Sequence, residues 1–124
     1  MSVELLNIDC MKYLAAQPDN FTMAMCESAW TPFTSPAKIF KQRIVSADIE
    51  RIHPTQKPVR LYEWLLKNYA EKGQRVLDTH LGSGSSAIAA HYYGVEFVGC
   101  ELDKDYFKAA TMRFKAATKQ QALF

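Results

Sequence analysis

The chain has 124 residues, which suits one domain with a real hydrophobic core and leaves little room for an elaborate substrate-reading insertion. Its 48% hydrophobic and 23% charged residues exclude gross disorder, and no apolar run approaches the length of a membrane span. The net charge of +2 is too small to indicate a nucleic-acid partner from the whole chain, although the basic excess of residues 38–60 suits either a phosphate-binding surface or a solvated loop.

The first half of the chain predicts two strands and one helix before a long irregular stretch. Residues 2–8 suit a strand, Asp9 can cap a helix, and the apolar run at 21–26 suits a second buried strand. Three prolines interrupt the pattern between residues 30 and 56, where only 39–45 suggest an ordered element. This stretch is therefore predicted to be an irregular loop.

The second half predicts a regular alternation of helices and strands. After Pro58, apolar residues at helical spacing predict a helix that Gly73 ends. The elements that follow are a strand that ends at Asp78, a helix over 85–93, a strand over 95–100 that leads to Glu101, and an amphipathic helix capped by Asp103. Strands separated by helices at this spacing are parallel with right-handed crossovers, so we expect an α/β, Rossmann-like, mostly parallel sheet with flanking helices.

The three cysteines are widely spaced and form no Cys-x-x-Cys pair. This spacing predicts reduced, mostly buried thiols and neither a disulfide framework nor a metal site. The first ten residues lack a basic stretch followed by a hydrophobic core, so a cytoplasmic protein is expected.

A glycine-rich turn between the strand that ends at Asp78 and the helix over 85–93 is the main candidate for a ligand site. Residues 82–87 match the pattern G-x-G-x-x-A, and Glu101 lies on the next strand end, as in dinucleotide-binding folds. A purely structural turn that needs two glycines has the same pattern.

Two acidic residues at successive strand ends narrow the choice of ligand. A carboxylate at Asp78 would repel a pyrophosphate, which argues against a nicotinamide dinucleotide, but it would attract the ammonium and sulfonium groups of S-adenosylmethionine. Glu101 can accept hydrogen bonds from both ribose hydroxyls. A helix cap or a surface salt bridge is the alternative role for Asp78, and it leaves the second acid unexplained.

Three motifs occur in the order and at the separations that are typical of a known family. They are His-Pro-Thr-Gln-Lys-Pro at 53–58, Asp-x-x-x-Gly-Ser-Gly at 78–84 and Gly-x-Glu-x-Asp-x-x-Tyr at 99–106. Residues 51–114 resemble the carboxyl-terminal part of adenine-N6 and cytosine-N4 DNA methyltransferases, in particular phage and prophage members. Residues 5–25 resemble the opening of the same family.

The resemblance implies S-adenosylmethionine as cofactor, DNA as partner and a set of binding residues. In the family, the motif at 53–58 and the glycine turn line the methionine end of the cofactor, the acid of the next strand binds the ribose, and an Asp-Cys pair contacts the adenine ring. Carried over, these roles fall on Thr55, Lys57, Asp78, Gly82, Ser83, Gly84, Glu101, Asp9 and Cys10. The chain departs from the family's usual turn at Thr79, His80 and Ser85, which predicts polar side chains along a solvated pocket.

The family's catalytic motif, Asp-Pro-Pro followed by Tyr or Trp, does not occur in this chain. Methyl transfer to an exocyclic amine needs an acceptor for the amine hydrogens and an aromatic face for the flipped base. The expected place holds Glu27-Ser28-Ala29-Trp30, so Glu27 and Trp30 are the catalytic candidates. Alternatively, this stretch resembles the interior of phage-type members, and the chain is an internally deleted product that lost its catalytic loop and target-reading region.

The leading hypothesis is a single truncated methyltransferase domain over 1–124, with the first strands at 1–26, an irregular loop at 31–56 and a cofactor-binding half at 57–124. Such a domain would bind S-adenosylmethionine and lack independent catalysis. The alternative is a non-catalytic binding or assembly module, because lost strands leave sheet edges that can pair with a second copy or a partner subunit.

Overall fold

A computed structural model describes residues 3–16, 21, 23–25, 29–30 and 56–119 of the chain. Strands and helices of this described part follow one another as β1 (Val3–Leu6), α1 (Cys10–Ala16), β2 (Met23–Met25), β3 (Ala29–Trp30), α2 (Val59–Tyr69), β4 (Arg75–Asp78), α3 (Ser85–Tyr93), β5 (Glu96–Cys100) and α4 (Lys104–Lys119). None of these helices combines the length and the apolar character needed to cross a membrane.

The strands form one sheet in the spatial order β1-β5-β4-β2-β3. The first four strands in this order are parallel neighbours, and β3 pairs antiparallel with β2. The predicted α/β, mostly parallel sheet is therefore confirmed. The sequence did not predict β3, because a strand of two residues is too short to show an alternating pattern.

Helices lie on both faces of the sheet. Tyr13 of α1 packs with Leu77, whereas alanines of α3 pack with Val76, and neighbouring residues of a strand point to opposite faces. The crossover from β1 to β2 and the crossover from β4 to β5 run in opposite directions across the sheet, with α1 and α3 on opposite faces. Both crossovers therefore have the same hand, as parallel strands require.

Helix α3 is the central helix of the larger core. Residues 85–90 are all buried, because α2 and α4 pack against the helix from two sides and the sheet closes a third. Small serine and alanine side chains allow this close approach. Around it, Leu66 and Phe97 are each about 1% exposed, and burial of each side chain stabilises the fold by roughly 1.5–3 kcal/mol.

Side-chain caps determine where two helices begin. Oδ1 of Asp9 accepts the N–H of Met11 at 2.9 Å, and Oδ1 of Asp103 accepts the N–H groups of Asp105 and Tyr106, both at 2.9 Å. These contacts satisfy N–H groups that have no partner within the helix. Both predicted N-caps are confirmed.

The end of α2 differs from the prediction. The helix ends at Tyr69 rather than at Gly73, and Ala70 is extended with φ −132° and ψ 153°. Ala70 is buried in the core, and its carbonyl accepts the hydroxyl of Tyr93 at 2.6 Å, so a tertiary contact ends the helix. Gly73 instead lies in the following turn with a φ of 88°.

The substitution Gly84→Ala is expected to destabilise the fold more than Gly94→Ala. Both glycines are left-handed, with φ of 84° and 94°, and any side chain there costs about 1–2 kcal/mol. A Cβ at Gly84 would also lie 3.3 Å from the backbone oxygen of Ala110, whereas at Gly94 the nearest atom is the flexible Cγ of Lys72 at 3.9 Å. Urea unfolding should show a further loss of about 1 kcal/mol for Gly84→Ala. Equal losses would contradict the close packing of α4 against this position.

Candidate functional site

The carboxyl ends of three neighbouring parallel strands lie at one edge of the sheet. Asp78 is the last residue of β4, Glu101 follows β5, and Asp9 and Cys10 follow β1 at the start of α1. Ligands of open α/β sheets bind outside this edge. Four of the predicted binding residues therefore lie on the side of the sheet where a ligand site is expected.

Hydrogen bonds from the backbone and from one side chain hold the ends of β1 and β5 together beyond their last strand residues. The N–H of Glu101 donates to the carbonyl of Leu6 at 2.9 Å. The side-chain amide of Asn7 donates to the carbonyls of Glu101 and Leu102 at 2.7 and 3.1 Å. Asn7 was not among the predicted site residues, although it supports the residue that was predicted to bind a ribose.

The glycine turn is attached to the end of β5 by two hydrogen bonds. The N–H of Leu81 donates to the carbonyl of Cys100, and the N–H of Gly82 donates to Oε1 of Glu101, both at 2.9 Å. Gly82 and Gly84 have φ of 57° and 84°, conformations that glycine adopts without steric cost. The turn therefore brings backbone rather than side chains to the front of the site.

Glu101 uses both carboxylate oxygens to accept backbone N–H groups. Oε1 accepts from Gly82 at 2.9 Å, and Oε2 accepts from Asp103 at 3.1 Å. Each carboxylate oxygen has two lone pairs, so this partly exposed group can still accept hydrogen bonds from ligand hydroxyls. Its predicted role at a ribose stays a prediction.

Asp78 lies beneath the turn and is only 2% exposed. Oδ1 accepts the N–H of His80 at 3.0 Å, and Oδ2 accepts the hydroxyl of Ser86. Burial raises the pKa of Asp78 to about 7; these two hydrogen bonds lower the pKa in part, and the negative charge of Glu101 raises it. The carboxyl group is therefore partly protonated at neutral pH, and its predicted attraction for a cationic cofactor stays a prediction.

The remaining predicted residues are only partly within the described residues. The carbonyl of Lys57 accepts the hydroxyl of Ser85 at 2.7 Å, which places the segment before α2 against the start of α3. Thr55 and Glu27 lie outside the described residues. Trp30 lies in β3, and its backbone pairs with that of Ala24 in β2. The predicted cofactor and catalytic roles of these residues stay predictions.

The departure of Ser85 from the family's turn predicts that its side chain lines a solvated pocket, and the structure shows that it does not. It is 2% exposed, because α3 begins inside the core, and its hydroxyl also accepts a hydrogen bond from Arg113 at 2.8 Å. His80, another departure, is exposed. The roles of Ser86 and Arg113 in holding the turn were not predicted, since no local pattern links them to Asp78 or to the glycines.

Within the described residues, no group of three or more His, Cys, Asp and Glu side chains is placed to hold a metal ion. Cys10 and Cys100 are free thiols, the first partly and the second fully buried.

Comparisons with known proteins bear on the same region. The family model for N6 and N4 methylation that is described as DNA methylase matches residues 15–112. The chain is 38% identical over 64 residues to the type II methyltransferase M2.DpnII of Streptococcus pneumoniae, and 36% identical over 69 residues to the protein named methylase YubD of Escherichia coli K12. These matches cover 52% and 56% of the chain but only 24% and 30% of the two relatives.

A solved structure, that of the M1.HpyAVI–SAM complex, also resembles the chain. It matches with a TM-score of 0.52 at 31% identity, over 65% of this chain and 42% of that chain. The chain therefore corresponds to a part of each of these proteins rather than to their whole length.

The free energy of unfolding is expected to fall as the pH rises from about 4 to about 7. Asp78 has an ordinary pKa of 3.8 when unfolded and about 7 when folded, so over this interval the folded state keeps a proton that the unfolded state loses. The contribution is about 1.4 kcal/mol for each pH unit, and it should vanish in Asp78→Asn. Urea unfolding at pH 5 and pH 7 measures it, with Asp105→Asn at an exposed carboxyl as the control. The same pH dependence in Asp78→Asn and in the wild type would contradict this assignment.

Proposed function

Because the chain belongs to the N6/N4 DNA methylase family, we propose that the carboxyl ends of β1, β5 and β4 form a binding site for S-adenosylmethionine. The observation that carries this proposal is the hydrogen-bonded unit of Asp78, the glycine turn and Glu101, in which two carboxyl groups flank a turn whose Gly82 is partly exposed. The proposal accounts for both acids with one ligand.

The electrostatics of this unit favour a cation over a pyrophosphate. Asp78 is close enough to Glu101 for the negative charge of Glu101 to raise the pKa of Asp78. A phosphate group would add negative charge beside both, whereas the sulfonium and ammonium groups of S-adenosylmethionine would stabilise both carboxylates. The structure of M1.HpyAVI was solved as a complex with SAM, which supports the same choice.

The proposed reaction class is methyl transfer to an amino group of DNA, at adenine N6 or cytosine N4. We propose that this chain does not catalyse the transfer on its own. The sequence contains no Asp-Pro-Pro-Tyr or Asp-Pro-Pro-Trp motif. Without a positioned acceptor for the amine and a face for the flipped base, a bound cofactor has no aligned nucleophile. Glu27 and Trp30 remain the candidates for a weak substitute.

The division of the chain follows from the same proposal. The family match is one continuous range from 15 to 112, which supports a single domain over 1–124. We place the first strands at 1–26, a loop at 31–56 and the cofactor-binding half at 57–124. Pairing of the outer strands β1 and β3 with a second copy of the chain, or with a partner that completes the sheet, stays a prediction.

Calorimetric titration of the chain with S-adenosylmethionine or S-adenosylhomocysteine should show heat of binding. The same titration with NADH should show none. Glu101→Gln replaces a carboxylate acceptor by an amide and is expected to weaken binding about tenfold. Glu63→Gln, at an exposed position of α2, serves as the control and should bind as the wild type does. No heat at ligand concentrations of about 1 mM would sink the proposed cofactor site.

Transfer of labelled methyl groups from S-adenosylmethionine to DNA should be undetectable with this chain alone. We attribute the missing activity to the absent acceptor motif and not to a failure to bind the cofactor. The methyl-transfer assay should therefore use the same preparation in which calorimetry has measured cofactor binding. An active DNA methyltransferase run in parallel checks the assay. Incorporation that Glu27→Ala abolishes would show that the degenerate motif is catalytic and overturn this part of the proposal.

A further inference from the structure

One arginine connects three segments that are far apart in the chain. Nη1 of Arg113 in α4 donates to the carbonyl of Ser83 at 3.0 Å and to the hydroxyl of Ser85 at 2.8 Å, and lies 3.4 Å from the hydroxyl of Ser83. The hydroxyl of Ser85 in turn donates to the carbonyl of Lys57 at 2.7 Å. Helix α4, the glycine turn and the segment before α2 therefore meet at the Ser85 hydroxyl.

The directions of these hydrogen bonds follow from the chemistry of the partners. The guanidinium of Arg113 can only donate and the carbonyl of Lys57 can only accept, so the single proton of Ser85 points to Lys57. The hydroxyl of Ser83 lies 3.2 Å from that of Ser85, and it must be the donor of that pair. Because each group has one compatible role, the network has one arrangement.

Burial makes this arrangement costly to lose. Ser83 and Ser85 are 4% and 2% exposed, so water cannot readily replace Arg113 as their donor. The same face of α4 also contacts the turn directly, since a Cβ at Gly84 would lie 3.3 Å from the oxygen of Ala110, three residues before Arg113. The helix therefore supports the turn through both packing and hydrogen bonds.

We propose that Arg113 is a positioning residue that sets the spacing between the glycine turn and the Lys57 segment, and thereby the affinity for the cofactor. This inference rests on the proposed S-adenosylmethionine site. Two predicted binding residues, Lys57 and Ser83, lie on the two segments that the network joins. A change in their spacing therefore alters both sides of the site at once.

Lysine cannot take over this function completely. The planar guanidinium presents several N–H groups in a fixed arrangement, whereas an ammonium group is a point charge on a flexible stem. Nη1 of Arg113 donates to two acceptors that are two residues apart, the carbonyl of Ser83 and the hydroxyl of Ser85, and the plane of the guanidinium fixes the direction of both N–H groups. Arg113→Lys is therefore expected to restore only part of the support.

The test compares Arg113→Gln, Arg113→Lys, Ser85→Ala and the control Lys108→Gln, which removes an exposed positive charge from the same helix. S-adenosylmethionine binding by calorimetry should be about tenfold weaker in Arg113→Gln, intermediate in Arg113→Lys and unchanged in Lys108→Gln. The double variant of Arg113→Gln and Ser85→Ala should lose little more than Arg113→Gln alone, because both changes break one network.

Amide hydrogen exchange provides a measurement that needs no ligand. Exchange at residues 82–86 should be faster in Arg113→Gln and in Ser85→Ala than in Lys108→Gln, while β1 and β5 keep their protection. If Arg113→Gln unfolds altogether, Ser85→Ala decides, since it removes one hydroxyl and keeps the arginine.

The outcomes separate this inference from the function on which it rests. If the wild-type chain binds no S-adenosylmethionine, the proposed cofactor site is wrong, and so is the proposed effect of Arg113 on cofactor affinity, whatever the exchange data show. A wild-type chain that binds, together with variants at Arg113 and Ser85 that bind as tightly as Lys108→Gln, overturns the positioning role alone. Weaker binding that Arg113→Lys restores in part, with faster exchange confined to the turn, supports it.

Discussion

The hydrogen bond from the N–H of Gly82 to the carboxylate of Glu101 is the contact on which the site depends. It joins the turn that follows β4 to the residue that follows β5, so groups from two strands form one rigid unit. Parallel pairing places Asp78 opposite Gly99, one strand end beside the next, and a left-handed φ at Gly82 aims its N–H across that gap. A longer turn or an antiparallel pair would not bring the two acids together.

The burial of Asp78 makes the folded state less stable at neutral pH than at acidic pH. Burial raises the pKa of this carboxyl group to about 7, so its ionisation costs free energy in the folded state, and the hydrogen bonds from Ser86 and His80 offset that cost only in part. Such groups are concentrated at functional sites. The alanine-rich packing around α3 supplies the stability that tolerates one unfavourable carboxyl group in the interior.

Local patterns predicted the features that depend on a few consecutive residues. Helix α3 has its predicted bounds, Ser85–Tyr93, because left-handed glycines flank it, and the parallel sheet follows from the alternation of strands with helices. Features set by distant contacts were not predictable. Ala70 ends α2 through the hydroxyl of Tyr93, and Arg113 reaches the turn from 30 residues away. The burial of the Asp78 side chain depends on the residues that cover the end of β4, and the sequence pattern of the strand does not identify those residues.

Several hydrogen bonds that hold the proposed cofactor site lie within the second half of the chain. Glu101, Arg113, Ser85 and Lys57 bond to one another's segments within residues 57–119. Binding of a cofactor and alignment of an acceptor are physically separate demands, since affinity alone does not lower the barrier to transfer. A chain that lacks the catalytic motif can therefore keep a folded site for the proposed cofactor. This is what we expect if Arg113, rather than the catalytic loop, positions the glycine turn.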